Sequence, residues 1–371
     1  MDDYYDHSSS AHANDDREKV LDRLIDLNAE NKRTESDRLQ AAVAGASIAS
    51  LGMAAADDVD RQLRLMRNRT TRNLRSKSAR SLPAKRTELW LNAEADFRQM
   101  KGRGTDPGYR MNAWGGTVGG AYTFHNNVQA GMAVTAMFGD LNIKEPDTMK
   151  ADMDTQYLST FVRVDKGRWS HSFIATVGLV DVDAKRSVNI GGTYGSYTTH
   201  FDTNGYGLGL MYEVNRSFVL DREATAILQP VFNIAWRHVE LDGFTERGSD
   251  AALRAGRQKM DTLILGAGTR LQALVESEKL GCEPLIELRA LLKGYIGDAD
   301  NHVSVSFADR TSNAVIRSDK SGAIGAELGV NITVPLDRNE RYEHVIFVDV
   351  NLELRDAYRN ENATIGYKLS F

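Results

Sequence analysis

The stretch TELWLNAEADFR, at residues 87–98, decides the fold class because its side chains alternate between apolar and polar character. Alternation with a period of two places successive side chains on opposite faces, as in a β-strand with one apolar face. One face carries Leu89, Leu91, Ala93, Ala95 and Phe97, and the other carries Glu88, Trp90, Asn92, Glu94 and Asp96. The sequence therefore predicts a strand here.

The same pattern continues to the end of the chain. A tilted membrane strand needs about 9–11 residues, whereas strands of globular proteins are commonly about 5–6 residues long. Most segments reach the membrane length, and with 87–98 they number twelve. The further segments are 113–125, 127–139, 154–164, 168–182, 203–214, 226–241, 259–275, 282–297, 321–334, 343–354 and 362–371. We therefore predict an all-β fold, a 12-stranded antiparallel transmembrane β-barrel.

Two further patterns favour a barrel in an outer membrane. Aromatic residues lie near strand ends, as in the interfacial girdles of such barrels, although they are also compatible with the core of a large soluble β-protein. These aromatics are Trp114, Tyr122, Phe124, Phe138, Trp169, Tyr206, Tyr212 and Trp236. Links expected to be long (99–112, 140–153, 183–202, 242–258 and 298–320) alternate with shorter ones (126, 165–167, 215–225, 276–281 and 335–342). Short turns at one end and long loops at the other are typical of outer-membrane barrels.

Composition excludes several classes of protein. The chain has 371 residues, of which 42% are hydrophobic and 26% charged, with a net charge of −5 and one cysteine. One cysteine rules out an intrachain disulfide framework, and the net charge provides no basic field for nucleic acid. No run of 18 strongly apolar residues occurs, which argues against a multi-span helical membrane protein.

The charges divide the chain into three regions. Residues 1–56 form a polar, helical N-terminal segment, 57–86 a basic linker helix, and 87–371 the barrel. The linker contains ten basic and three acidic residues, a net charge of +7, whereas the barrel region has 30 basic and 37 acidic residues, a net of −7. Pro83 is a plausible boundary between them.

The basic helix is predicted to thread the barrel lumen. A helix from Asp57 to Arg80 would be about 36 Å long, enough to cross a bilayer core of about 30 Å. It cannot lie in lipid, because arginine is costly there, but it could lie in a polar, acidic lumen. Its arginines are Arg61, Arg64, Arg67, Arg69, Arg72 and Arg75. Candidate acidic lining residues are Glu88, Glu94, Asp96, Glu213, Asp261, Glu287, Asp349 and Glu353. The alternative is a solvated helix outside the barrel.

The last strand and the basic helix together resemble a known family. NATIGYKLSF, with Ile365, Tyr367, Leu369 and Phe371, resembles the signal read by the outer-membrane barrel-assembly machinery. The sequence DVDRQLRLMRNRTTRN leading into a twelve-stranded segment resembles the translocator of classical monomeric autotransporters. The resemblance implies type V protein secretion. A monomeric barrel in the outer membrane of a diderm bacterium, surrounded by its lipids, would export and anchor a covalently linked upstream passenger, and the helix would then plug the pore.

The N-terminal region differs from what that resemblance implies. Residues 1–14 are polar and expected to be disordered, and 1–56 are too short and helical for a usual passenger, so we expect a remnant of a passenger or a junction. Residues 39–56 are uncharged and end in three alanines. They are interpreted as a junction helix, with a signal-peptide core as the alternative. The chain is either a fragment or is exported in an unusual way.

No constellation of residues indicates an enzyme. The eight histidines are scattered, and none stands at zinc-ligand spacing from another His, Cys or Glu. Phosphate-binding and hydrolase motifs are absent. We expect no catalytic residues, cofactor or metal. The remaining alternatives are a passive porin-like channel, an outer-membrane hydrolase and a soluble β-protein.

Overall fold

The computed structural model describes residues 15–71, 86–124, 127–277, 282–298, 300–309, 314–318, 322–338 and 342–371. The expected disordered start at 1–14, the boundary at Pro83, and Arg72 and Arg75 of the predicted lumen helix lie outside these ranges.

Twelve antiparallel strands form a closed barrel, which confirms the predicted fold class. Each strand pairs with its neighbours in sequence, and the first closes the ring with the last, for example through Leu91 and Tyr367. The strands are β1 (Arg86–Met100), β2 (Tyr109–Thr123), β3 (Val128–Ile143), β4 (Thr148–Lys166), β5 (Trp169–Asn189), β6 (Ser196–Arg216), β7 (Ala226–Leu241), β8 (Gln258–Leu274), β9 (Leu285–Gly297), β10 (Ile324–Arg338), β11 (Glu343–Arg355) and β12 (Tyr358–Ser370). Closure pairs each of these twelve strands on both sides, so the described part of the barrel has no open sheet edge.

The alternation read from the sequence becomes an inside and an outside. Inward side chains are buried, whereas outward apolar side chains stand exposed, and Val118 and Leu292 each keep 67% of their surface accessible. Such an apolar outer surface suits contact with lipid rather than water. Trp114 and Phe138, two of the predicted girdle aromatics, are also exposed and pack against each other on the outer face.

The two ends of the barrel differ, although less in loop length than the sequence predicted. The turn end carries the connections 124–127, 167–168, 217–225, 275–284 and 339–342, and the opposite, loop end carries 101–108, 144–147, 190–195, 242–257, 298–323 and 356–357. The expected long links at 140–153 and 183–202 are mostly strand, because β3–β6 continue pairing towards the loop end. A four-stranded sheet (Phe244–Thr245, Leu253–Ala255, His302–Phe307 and Ala314–Arg317) also stands at the loop end.

Among the described residues, three helices precede the barrel: α1 (Asp15–Ala29), α2 (Arg33–Val43) and α3 (Ala49–Thr70), with a 3₁₀ turn (Ala46–Ile48) before α3. The predicted helix start at Asp57 is too late, because the alanine-rich stretch before it continues the same helix. Within the described ranges, no single helix has the length and apolar character to cross a bilayer. Residues 33–43 and 46–70 pass that test only as a pair bent by 56°.

Candidate functional site in the barrel lumen

Helix α3 runs along the lumen from the loop end to the turn end. At its start, the Gly52 amide donates to Oε1 of Gln258 (3.2 Å), and Nδ2 of Asn301 donates to the carbonyl of Ala49 (2.8 Å). At its end, Nη1 of Arg163 donates to the carbonyl of Thr70 (3.0 Å). The polypeptide upstream of α3 therefore leaves the lumen at the loop end.

One face of α3 is apolar and packs closely against the barrel wall. Val59 and Leu63, four residues apart, lie against Gly207 and Gly209 of β6. A Cβ atom at Gly207 would lie 2.6 Å from Cγ2 of Val59, so only glycine allows this approach. Beside this contact, Gln62 donates to Thr135 (3.1 Å) and Ser159 (2.8 Å). The helix is seated on one side of the lumen by shape and hydrogen bonds.

The first charged turn of α3 is acidic and faces basic side chains of the barrel. Asp57, Asp58 and Asp60 are all buried. Burial of a carboxylate is costly unless it is paired, and each of these has a cationic partner. The pairs are Asp57 with Arg355 (2.9 Å) and Arg237 (3.1 Å), Asp58 with Arg98 (2.5 Å), and Asp60 with Lys293 (3.4 Å).

The following turns are basic and face acidic side chains nearer the turn end. Arg61, Arg64 and Arg67 are buried and follow one another at three-residue intervals. The pairs are Arg61 with Glu94 (3.0 Å), Arg64 with Glu353 (2.8 Å), and Arg67 with Glu327. Asn68 continues the series by donating to Asp349 (3.3 Å).

These contacts form two bands of opposite sign, a basic band towards the loop end and an acidic band below it. Reversing or sliding the helix would bring like charges together in a buried site. Removing one partner of a buried pair commonly costs about 3–5 kcal/mol. The bands therefore fix both the direction and the depth of α3.

Of the predicted acidic lining residues, Glu94, Asp349 and Glu353 form hydrogen bonds with α3. The structure also buries four others, which pair mainly with basic or amide groups of the barrel wall, and one of these, Glu213, also lies 4.0 Å from Nε of Arg67 on α3. These four are Glu88 beside Arg86, Asp96 beside Arg98, Glu213 beside Arg270, and Glu287 beside Gln272 and Arg289. The lining is therefore a mixed network rather than a purely acidic surface.

The expectation for Asp261 is wrong. Its side chain lies on the outer face, 54% exposed, and pairs with Nδ1 of His238 at 3.0 Å. The adjacent Met260 and Thr262 are the buried ones, so the pleat directs the intervening aspartate outward.

Glu327 and the basic band were not predicted from the sequence. Glu327 is fully buried and pairs with both Arg67 and Lys293. Its neighbours Ala326 and Leu328 belong to the alternating apolar face of AIGAELGV, so the alternation itself could have placed Glu327 inside. The basic residues were missed because the net charge of the region suggested acids alone.

The remaining predicted arginine in the described ranges, Arg69, has a different environment. Its guanidinium lies 3.7 Å from the ring centre of Phe347, in a cation–π contact. Arg69 and Phe347 line a cavity of about 620 Å³ at the turn end, together with Trp90 and Phe161. The space beneath the end of α3 is therefore wide and partly aromatic.

Among the described residues, no group of three or more His, Cys, Asp or Glu side chains is placed to hold a metal ion. The histidines with side-chain hydrogen bonds contact a tyrosine or an aspartate, as His171 does with Tyr212 (2.8 Å). The arrangement in the lumen is thus one of ion pairing and steric filling.

A family model described as autotransporter beta-domain matches residues 89–340. Among solved structures, the fold is similar to the translocator domain of autotransporter NalP from Neisseria meningitidis. The TM-score is 0.64 and the identity 15%, covering 87% of this chain and 99% of that one. The beta domain of the Bordetella autotransporter BrkA gives a TM-score of 0.53 and 14% identity, over 77% of this chain and 99% of that one. The transport unit of AIDA-I from Escherichia coli gives 0.52 and 13%, over 81% and 92%.

Two curated proteins share sequence with part of the chain. Esterase EstA of Pseudomonas aeruginosa and esterase EstA of Pseudomonas putida are each 29% identical over 175 residues. The match covers 47% of this chain and 26% of either relative, so the chain spans about a quarter of their length.

Proposed function

The chain belongs to the autotransporter beta-domain family, and from that premise we propose that it is the outer-membrane translocator for an upstream passenger. The barrel would anchor the passenger at the surface of a diderm bacterium, with α3 closing the lumen. The observation that carries this proposal is the path of α3. It enters at the loop end, and β1 begins at the turn end, beside the last strand. A passenger joined upstream would therefore lie on the side of the long loops, which face outward in such barrels.

The proposed partners follow from the two surfaces of the barrel. Outer-membrane lipids would cover the exposed apolar belt. The barrel-assembly machinery would read the last strand, where Ile365 and Phe371 are 57% and 50% exposed on the outer face. Tyr367 and Leu369 lie between them at every second position, and therefore on the same face. We propose a monomeric barrel, because its ring of strands is complete within one chain.

We propose that the barrel itself does not hydrolyse esters. The name esterase belongs to relatives of which the chain spans about a quarter. Within the described ranges, no histidine nitrogen is hydrogen-bonded to a serine hydroxyl, the contact that activates a nucleophilic serine. Purified barrel should hydrolyse short-chain nitrophenyl esters no faster than buffer. Hydrolysis that disappears on replacing one barrel serine would contradict this.

Surface display tests the translocator function. The full chain would be expressed in a diderm bacterium with a secretory signal and a peptide tag before residue 1. The tag should be cut by protease added to intact cells, and the barrel should fractionate with the outer membrane. A tag that is cut only after the outer membrane is permeabilised would contradict the proposal. Phe371→Ser should reduce assembly and display together, whereas Phe124→Ser, at another outward aromatic, serves as the matched control.

A further inference from the structure

Helices α1 and α2 fold back over the loop end of the barrel instead of extending away from it. They pack on the tips of β5 and β6 and on the connection 242–257 through an apolar seam. The seam consists of Val20, Leu27, Leu39 and Ala42 from the helices and Val188, Ile190, Tyr197 and Ala251 from the barrel. Polar contacts surround it, such as the hydroxyl of Tyr194 donating to Asp26 (2.7 Å). Residues 15–48 thus lie over the opening of the lumen at the loop end, through which solvent would otherwise reach the start of α3.

Arg186, near the tip of β5, holds this covering in place. Its side chain is fully buried, and Nε and Nη2 donate to the two carboxylate oxygens of Glu246, each at 2.6 Å. Nη1 donates to the carbonyl of Ala42 at the end of α2 (3.0 Å). Bidentate pairing of arginine with carboxylate is directional as well as strong, so Arg186 joins α2 to the 242–257 connection.

Asp147 adds a second connection to the same network. Its carboxylate lies 3.5 Å from Nη1 of Arg186 and accepts hydrogen bonds from the Ser47 hydroxyl (2.6 Å) and amide (3.2 Å). Burial raises the pKa of Asp147, while Arg186 and the hydrogen bonds from Ser47 oppose that rise. The 144–147 connection is thereby attached to the turn that precedes α3.

A single residue marks the change of direction between the covering helices and α3. Gly45 has φ of +76°, a left-handed conformation that favours glycine. A Cβ atom at this position would lie 2.6 Å from Cδ1 of Leu253. Gly45 is thus part of a closely packed turn that lies against the 242–257 connection.

We propose that residues 15–48 form a lid, latched by Arg186, that closes the loop end independently of α3. The lumen then has two closures in series, an outer lid held by a buried ionic network and an inner helix held by the two charge bands. Release of the latch would expose the start of α3 while α3 stays seated. The lid rests on these contacts and does not depend on the chain being a translocator.

Cysteine accessibility tests the lid in the full chain. Cys282 would be replaced by serine, and one cysteine placed at Ser50, a fully buried residue in the first turn of α3, directly after the lid segment. Labelling by a bulky, charged maleimide should be slow in the parent protein. Arg186→Gln should accelerate labelling about tenfold or more. A buried carboxylate left without its cationic partner costs more free energy than the roughly 1.4 kcal/mol that corresponds to a factor of ten. Asp147→Asn is a second latch variant with the same expected direction, and it is decisive if Arg186→Gln fails to assemble.

Two controls separate lid opening from general loosening. Arg247→Gln removes an arginine at the same end whose pair with Asp202 (3.2 Å) is 78% exposed, and it should leave the labelling rate unchanged. A cysteine at Thr70, at the far end of α3, should label at the parent rate in the Arg186→Gln and Asp147→Asn proteins. The conductance of both proteins should stay low, because α3 remains in the lumen. Equal labelling of Ser50→Cys with and without the latch would overturn the lid. Equal acceleration at both ends of α3 would overturn it too.

Discussion

At the scale of single residues, α3 is held by buried charged side chains that pair with oppositely charged side chains of the barrel. Asp58 is the clearest case, because it accepts hydrogen bonds from Arg61 (3.0 Å), Arg98 (2.5 Å) and Thr155 (2.8 Å). Removing this carboxylate would leave two guanidinium groups close together in a buried site without the anion between them, although Arg61 keeps Glu94 and Arg98 keeps Asp96 as partners. The residue is therefore worth far more than an exposed ion pair.

We expect Asp58→Ala to lower the free energy of unfolding by about 3 kcal/mol or more. Denaturant unfolding in detergent, followed by intrinsic fluorescence, measures the change. Asp261→Ala is the matched control, because that aspartate is half exposed on the outer face, and it should cost less than about 1 kcal/mol. Equal losses from both substitutions would contradict the assignment of Asp58 to the helix–barrel network.

Gly207→Val is expected to displace α3 from its wall, because the new side chain would occupy the space of Val59. When the lid is also unlatched by Arg186→Gln, the barrel should still assemble but conduct more ions in planar bilayers than the Arg186→Gln protein that keeps Gly207. At Gly294, by contrast, a Cβ atom meets nothing within 4 Å, so Gly294→Val should leave conductance unchanged. Equal conductance with and without Gly207→Val in the unlatched protein would show that this contact does not seat the helix.

Alternation along a strand predicts the direction of most charged side chains but not their partners. It would have placed Glu327 inside and Asp261 outside, had it been applied to both strands with the correct register. Register is hardest to read near strand ends, where Asp261 lies, because turns and bulges shift it by one residue. Which acidic side chain pairs with which arginine depends on the rotation of α3 about its own axis, and this rotation cannot be predicted from a local sequence pattern.

At the scale of elements, the helix begins and ends earlier than the predicted Asp57–Arg80, and several strands extend further than the sequence suggested. The alanine-rich start of α3 carries no charge to mark it as part of the lumen helix, yet Ala54, Ala55 and Ala56 are almost completely buried there. Alanine favours helix and fits where space is narrow. Similarly, β5 and β6 pair through 189 and 196, so a region expected to be loop is strand that carries the lid.

Replacing Arg61, Arg64 and Arg67 together by glutamate should expel α3 from the lumen. Each new carboxylate would face a buried carboxylate of the barrel, and like charges at that distance repel strongly in a low-dielectric site. Protease should then cleave within 49–70 in the folded barrel, whereas the parent helix should resist. The same triple change to lysine keeps the sign and should preserve protection. Equal protease resistance in all three proteins would argue against electrostatic seating.

At the scale of the whole molecule, a closed sheet supplies the wall and the helix supplies the filling. The barrel could be predicted from the sequence, because the alternation, length and number of the strands all reflect the thickness of the membrane and the closure of the sheet. The position of the helix in the lumen was inferred only from its opposite charge, and the barrel residues that pair with it could not be inferred from the sequence. The lid could not be foreseen, because its seam joins residues about 150 or more positions apart.

Closure by α3 should persist at high salt. Surface ion pairs weaken as the Debye length falls to about 3 Å at 1 M salt, but buried pairs are screened much less. Conductance per channel, divided by the conductivity of the solution, should therefore stay constant between about 0.15 M and 1 M KCl. A steep rise in that ratio would indicate that the charge bands are accessible to ions.

The most direct test compares the conductance of the full chain with that of a chain lacking residues 15–70, from which the lid and α3 are both removed, in planar bilayers. We expect small conductance for the full chain and a large, stable pore after deletion, with both proteins showing the gel mobility of a folded barrel. Open conductance in the full chain, or no increase after deletion, would contradict a helix that closes the lumen.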